Sequence, residues 1–146
     1  MEKYLPDADE IWHAGDIGTL EVLEKTEAFA PVKAVYGNID NHKIRSIVPE
    51  YNFFVTEGLK ILILHIGGYP GRYTPRAKAL IRRFRPDVFV SGHSHILKVM
   101  QDKENRLLHL NPGAAGKSGF HKLRTMLRFQ IDKGTITGLE VIERQR

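Results

Sequence analysis

The 146 residues contain no cysteine, which excludes disulfides, thiolate zinc sites and a cysteine nucleophile together. Any transition metal would have to be held by His, Asp, Glu or Asn, a donor set suited to manganese, zinc, iron or nickel rather than to thiolate-seeking ions. No apolar run approaches the roughly 18 residues of a membrane span, and the opening MEKYLPDADEIW lacks a basic segment followed by an apolar one. The expectation is a soluble cytoplasmic protein with no membrane partner. Internal repeats, low-complexity tracts and linkers are missing as well. One domain over residues 1–146 is expected, with 42% hydrophobic residues sufficient for a single sizeable core.

Lys and Arg number 22 against 17 Asp and Glu, a net charge of +5. Part of the excess is local: Arg72, Arg76, Lys78, Arg82, Arg83 and Arg85 crowd one stretch. Such a cluster could guide phosphates or nucleic acid, although a solvated helix face is the plainer reading. No base-stacking aromatic platform accompanies it, and a nucleic-acid role therefore ranks last.

The elements read as follows. DEIWHAG is a short buried strand, Thr19 caps a helix through LEVLEKTEAFA that Pro31 ends, and VKAVYG is a second strand, so residues 10 to 37 form one βαβ unit with parallel pairing. NHKIRSIVP is a short helix or turn. YNFFVTEGLKILILHI alternates around Glu57-Gly58 as a tight hairpin. Thr74 and Pro75 start a helix that Arg85-Pro86 stops near Phe84. DVFVSG, LKVMQD, RLLHLN, TMLRFQI and TITGLEVIE are further strands, with DKEN and DKG as turns. The class is α/β: two packed mixed sheets flanked by helices.

Four probable strands stop at polar residues beside or near glycine: WHAGD at Gly15-Asp16, VYGNID at Gly37-Asn38-Ile39-Asp40, LILHIGG at His65, and VSGHSH at His93 and His95. Ligands of open α/β sheets bind at the carboxyl ends of strands, where glycine lets the backbone turn closely around a bound group. Taken singly, each motif is an ordinary turn or a core histidine. Taken together and in this order, they point to one convergent site.

The ordered set HAGD, GNID, LHIGG and GHSH resembles the calcineurin-like metallophosphoesterase superfamily, in particular its small bacterial and archaeal phosphodiesterase branch, which the retromer phosphoesterase-like subunit also resembles. NPGAA at residues 111 to 115 looks like the NPG turn of that branch. The resemblance implies a β-sandwich flanked by helices and two divalent metals bridged by one aspartate. Carried onto this sequence, Asp16 would be the bridging carboxylate, Asn38, His65 and His93 would complete one metal site, and His95 would reach back to the other. Two histidines one residue apart can face the same metal pair because the chain is turning at the strand end. Asp40 would support a ligand histidine from behind, and Arg72, His109, Lys117 and His121 are candidate substrate contacts. His13 reads as structural. Many members of the superfamily carry histidine after the GN pair, where it protonates the leaving oxygen. Ile39 stands there instead, which points to diesters with good leaving groups.

The family pattern begins with a strand ending in Asp-x-His, which this sequence does not contain, so the expected fold lacks its first strand and the chain is expected to be truncated. One metal site would be intact and the other incomplete. Manganese is the expected ion, with zinc, iron or nickel compatible. Strands left beside an absent neighbour would expose unpaired edges, implying a homo-oligomer. The implied function is metal-dependent hydrolysis of a small phosphate ester, probed against the rival of an inactive phosphoesterase-fold binding scaffold.

Overall fold

A computed structural model describes residues 2–146. After a short 3-10 turn, Glu2–Tyr4, the chain enters β1 (Ile11–His13), α1 (Leu20–Glu27) and β2 (Val32–Ala34), with β1 and β2 parallel. This is the expected βαβ unit. The Thr19 hydroxyl accepts the Val22 N–H at the N-cap of α1. Next comes α2 (His42–Ile47), capped by Asn41 through the Ile44 N–H. The hairpin β3 (Tyr51–Thr56) and β4 (Leu59–Leu64) turns on Glu57 and Gly58, both at positive φ, 47° and 83°. That pair of left-handed residues is what a two-residue turn needs to match the strand twist. Thr74 caps α3 (Pro75–Phe84), which Arg85 closes in the left-handed conformation. The remaining strands are β5 (Val88–Ser91), β6 (Lys98–Asp102), β7 (Leu107–Asn111), β8 (Leu123–Asp132) and β9 (Thr135–Gln145).

A five-stranded sheet in the order β3-β4-β5-β7-β6 forms the centre, with β4, β5 and β7 parallel. Period-two alternation decides which layer each face meets. Leu62, Leu64, Phe89 and Leu107 face α3, where Ala77, Leu80 and Ile81 cover them. Ile61, Ile63, Val88, Val90 and Leu110 face the other way, onto Ala14, Val35 and the apolar residues of β8 and β9. Helices α1 and α2 close the outer side through Ile17, Leu23, Ala34, Ile44 and Val48. Each fully buried aliphatic side chain contributes about 1.5–3 kcal/mol, so both faces of the central sheet stabilise the site that stands on its end.

The expected mixed α/β sandwich is present, with one refinement. The layer opposite α3 consists of two separate pieces, β1-β2 and β8-β9. Ile11 N and His13 O bond toward the β2 side, so the Trp12 N–H and C=O point to the opposite edge, where no strand pairs among the described residues. The β8-β9 hairpin approaches there through side chains, with the Trp12 ring edge-on to Phe129 at 5.4 Å. Among the described residues, no helix is long and apolar enough to cross a membrane.

Candidate active site

The carboxyl ends of β1, β2, β4 and β5 lie at one end of the sandwich and carry Asp16, Asn38, His65, and His93 with His95. Asp16, His93 and His95 all have positive φ, 57°, 67° and 58°. Left-handed backbone costs a residue other than glycine about 1–2 kcal/mol, and here it falls on three candidate ligands. Such strain persists only where the surroundings impose it, and it concentrates at functional sites. Nothing in the sequence announces it, because none of these positions is glycine.

His65 is buried at the heart of the cluster. Its Nδ1 lies 2.6 Å from the Ala14 carbonyl oxygen. A carbonyl only accepts, so Nδ1 carries the hydrogen and donates. Nε2 then faces Asp16 Oδ1 at 3.4 Å with no hydrogen-bond partner. A bare ring nitrogen against a carboxylate oxygen is favourable only with a proton or a metal cation between them. The His93 ring stands edge-on to His65, with centroids 5.3 Å apart. His95 lies within electrostatic reach of Asp16, His93 and His65; burial, then the His121 ring, pushes its imidazole below the ordinary value. Asn38 is exposed beside Asp16, whose Oδ1 accepts the Ile39 N–H at 3.2 Å. The five candidates thus neighbour one another in pairs, yet among the described residues no three His, Asp or Glu side chains form a closed group. The orphaned His65 Nε2 fits a metal ligand; the open geometry of the rest describes a site that a cation would have to draw together.

Asp40 takes a different role from the one expected. Its oxygens accept the Gly18 and Gly37 N–H groups, each at 2.7 Å, rather than a histidine. It therefore staples the two loops that carry Asp16 and Asn38. Arg45 reinforces the second loop, donating from Nε to Asp40 O at 2.7 Å and from Nη2 to Gly37 O at 3.0 Å. Asn111 does the same for the histidine turn: its Nδ2 donates to Gly92 O and Ser94 Oγ, both at 3.1 Å, while its Oδ1 accepts Gly113 N–H. The NPG stretch was legible as a motif, but the part played by its asparagine was not. His13 ends β1 beside the site, where burial holds its imidazole below the ordinary value and its Nδ1 has no hydrogen-bond partner.

The substrate contacts fare unevenly. His109 is not one: it lies fully buried on the α3 side of β7, between Tyr73 and Phe89, with both ring nitrogens unpartnered. β7 sits inside the central sheet and both its faces are covered. His121 packs on His95. Lys117 is exposed on the same loop and Arg72 on the loop before α3. In the basic stretch, Arg76 makes a two-pronged pair with Glu50, at 3.0 and 2.6 Å. Arg82, Arg83 and Arg85 lie where α3 hands over to the start of β5, the end of the sheet opposite the site. That location argues against their steering a ligand into it.

Comparison with known proteins bears on the family and the fold. The sequence model of the calcineurin-like phosphoesterase superfamily domain matches residues 1–134. The chain is similar to a probable metallophosphoesterase of Methanothermobacter thermautotrophicus, 33% identical over 108 residues, and to one of Methanocaldococcus jannaschii, 30% identical over 109. These matches cover 74% of this chain in both cases but 61% and 54% of the relatives, so the chain spans little more than half of their length. Among solved structures, Vps29 of Entamoeba histolytica in complex with zinc superposes with a TM-score of 0.74 at 17% identity, covering 99% of this chain and 87% of that one. An archaeal phosphodiesterase superposes with a TM-score of 0.70 at 22% identity, covering 93% and 84%. At such identities the superpositions speak to the fold.

Proposed function

Since the chain belongs to the calcineurin-like phosphoesterase superfamily, we propose that it is a metal-dependent phosphoesterase acting on small phosphodiesters at the cluster of Asp16, Asn38, His65, His93 and His95. The observation that carries this reading is the buried His65 Nε2, which has no hydrogen-bond partner and faces Asp16 Oδ1 at 3.4 Å. Asp16, Asn38, His65 and His93 would hold the tighter ion, and Asp16 with His95 a weaker second one. Manganese is the first candidate, with zinc, iron or nickel compatible with the same donors. A divalent ion there supplies Lewis-acid polarisation of a phosphoryl oxygen and lowers the pKa of coordinated water.

The chain's own residues set the rest. Asn38 would ligate through a neutral oxygen, leaving Asp16 as the one carboxylate on a bound metal, so a loaded site would stay positive and favour a phosphate. Exposed Ile39 offers no proton to a leaving oxygen. The oxygen released when the P–O bond breaks would then depart unprotonated, as an anion, which favours diesters with acidic leaving groups. Among the described residues no strand pairs the outer edge of β1, and such an edge supports self-association.

The absence of any closed group of three ligand side chains among the described residues favours a second reading, a phosphoesterase-fold scaffold that binds a partner protein. Hydrolysis of bis-p-nitrophenyl phosphate with added manganese separates the two. The enzymatic reading expects turnover that chelator and His93→Ala each reduce to background. A folded, metal-loaded chain without turnover would leave the scaffold.

A further inference from the structure

His121 was expected to meet substrate, yet its ring is spent on other contacts. Nδ1 of His121 lies 3.2 Å from Nδ1 of His95, and Nε2 of His121 lies 3.0 Å from the Gly116 carbonyl oxygen. The direction of both bonds follows from the carbonyl. It only accepts, so His121 Nε2 carries the hydrogen; a neutral imidazole has one, so His121 Nδ1 is a lone pair. The bond between the rings then requires its hydrogen on His95 Nδ1. We propose that His121 is a positioning residue that holds His95 as its Nδ1–H tautomer and so keeps the His95 Nε2 lone pair available to a divalent cation.

The surrounding loop is built for that contact. Gly119 has φ of 124°, and a Cβ there would overlap the His95 ring and come within 3.0 Å of His121 Nδ1, so only glycine passes between the rings. The loop is pinned from outside: Arg146 Nη1 donates to Gly119 O at 2.9 Å and Arg124 Nε to Ala115 O at 2.7 Å. The rings meet edge to face, with centroids 5.1 Å apart. The arrangement parallels His65, whose Nδ1 is committed to Ala14 O. Both histidines thus turn the same nitrogen toward ligation, one through a carbonyl and one through a second imidazole. Hydrogen bonds to the far nitrogen fix ring orientation and raise ligand basicity.

The inference rests on the metal reading above only for what the lone pair is for; the tautomer is measured without metal. In the chelator-stripped, 15N-labelled chain at pH about 8, well above the ordinary histidine pKa of about 6.5, long-range 1H–15N correlation distinguishes protonated from bare ring nitrogens. His95 is expected to show a protonated Nδ1 and a bare Nε2. In His121→Leu it should shift toward the Nε2–H form, while His121→Asn, which retains an acceptor, should preserve the native pattern. Manganese affinity should fall about 10-fold in His121→Leu and recover in His121→Asn. A wild-type His95 protonated at Nε2 overturns the proposal, whatever the variants do. So does a folded His121→Leu chain with the native His95 pattern. A wild-type chain that shows the expected tautomer but binds no metal would sink the metal reading and leave the tautomer lock standing.

Discussion

Replacing Asp40 with asparagine tests whether the site depends on a stapled backbone. Asp40 is 4% exposed, and its carboxylate accepts Gly18 N–H on one oxygen and Gly37 N–H on the other, each at 2.7 Å. Hydrogen bonds to a charged group contribute about 1.5–3 kcal/mol each. Asparagine keeps one acceptor and sets an NH2 group against the second N–H. One bond is lost and a donor faces a donor, so Asp40→Asn should cost roughly 2–3 kcal/mol. Asp40→Ala loses both bonds and orphans both donors, for roughly 3–6 kcal/mol, a large share of the 5–15 kcal/mol typical of a folded domain. Urea unfolding followed by far-UV circular dichroism reads this as a lower midpoint at unchanged slope. The same variants should weaken metal binding, because the loops of Asp16 and Asn38 lose their common anchor. An Asp40→Asn chain with the wild-type midpoint would refute the reasoning.

His109 predicts a pH effect. Burial, then the nearby Lys98 charge, holds its imidazole down to about 4 from 6.5. The unfolded chain takes the proton first, so stability present above pH 6.5 is lost as the pH falls toward 4, by at most about 3 kcal/mol. Thermal melts of His109→Leu should show a flatter acid limb; an unchanged one would remove His109 as its source. Gly15 has φ of 97°, and a Cβ there would overlap the His65 ring. Gly15→Ala should therefore cost about 2–3 kcal/mol and weaken metal binding, and a variant neutral in melts and metal titration would contradict the packing. The open edge of β1 predicts a mass that rises with concentration in light scattering; a concentration-independent monomer would count against it.

The strands and helices were legible where chemistry is local. Thr19 and Thr74 announce helix starts, Glu57-Gly58 and Lys133-Gly134 announce hairpins, and alternation in β3 and β4 gives their faces. The strand-end pattern gathered Asp16, Asn38, His65, His93 and His95 because glycine and polar residues at carboxyl ends carry a positional meaning. What stayed hidden depends on partners far away in sequence. His109 reads as a solvent-ready histidine until β7 is known to sit between β5 and β6. Asp40 reads as a supporter of histidines until its distance to the Gly18 and Gly37 amides is known. The left-handed backbone of Asp16, His93 and His95 has no sequence mark, since their side chains disfavour it.

The Gly92 N–H donates to His65 O at 3.0 Å, extending the β4-β5 ladder past the assigned strands and into the cluster itself. The His121 loop is tied instead by exposed side-chain bonds from Arg124 and Arg146. Amide hydrogen exchange should therefore divide the site in two. Gly92 should exchange only when the central sheet opens, while the amides around Gly119 should exchange through local opening at far lower cost. His65 and His93 then inherit the lifetime of the core, while the loop that carries His121 can open beside His95 without disturbing them.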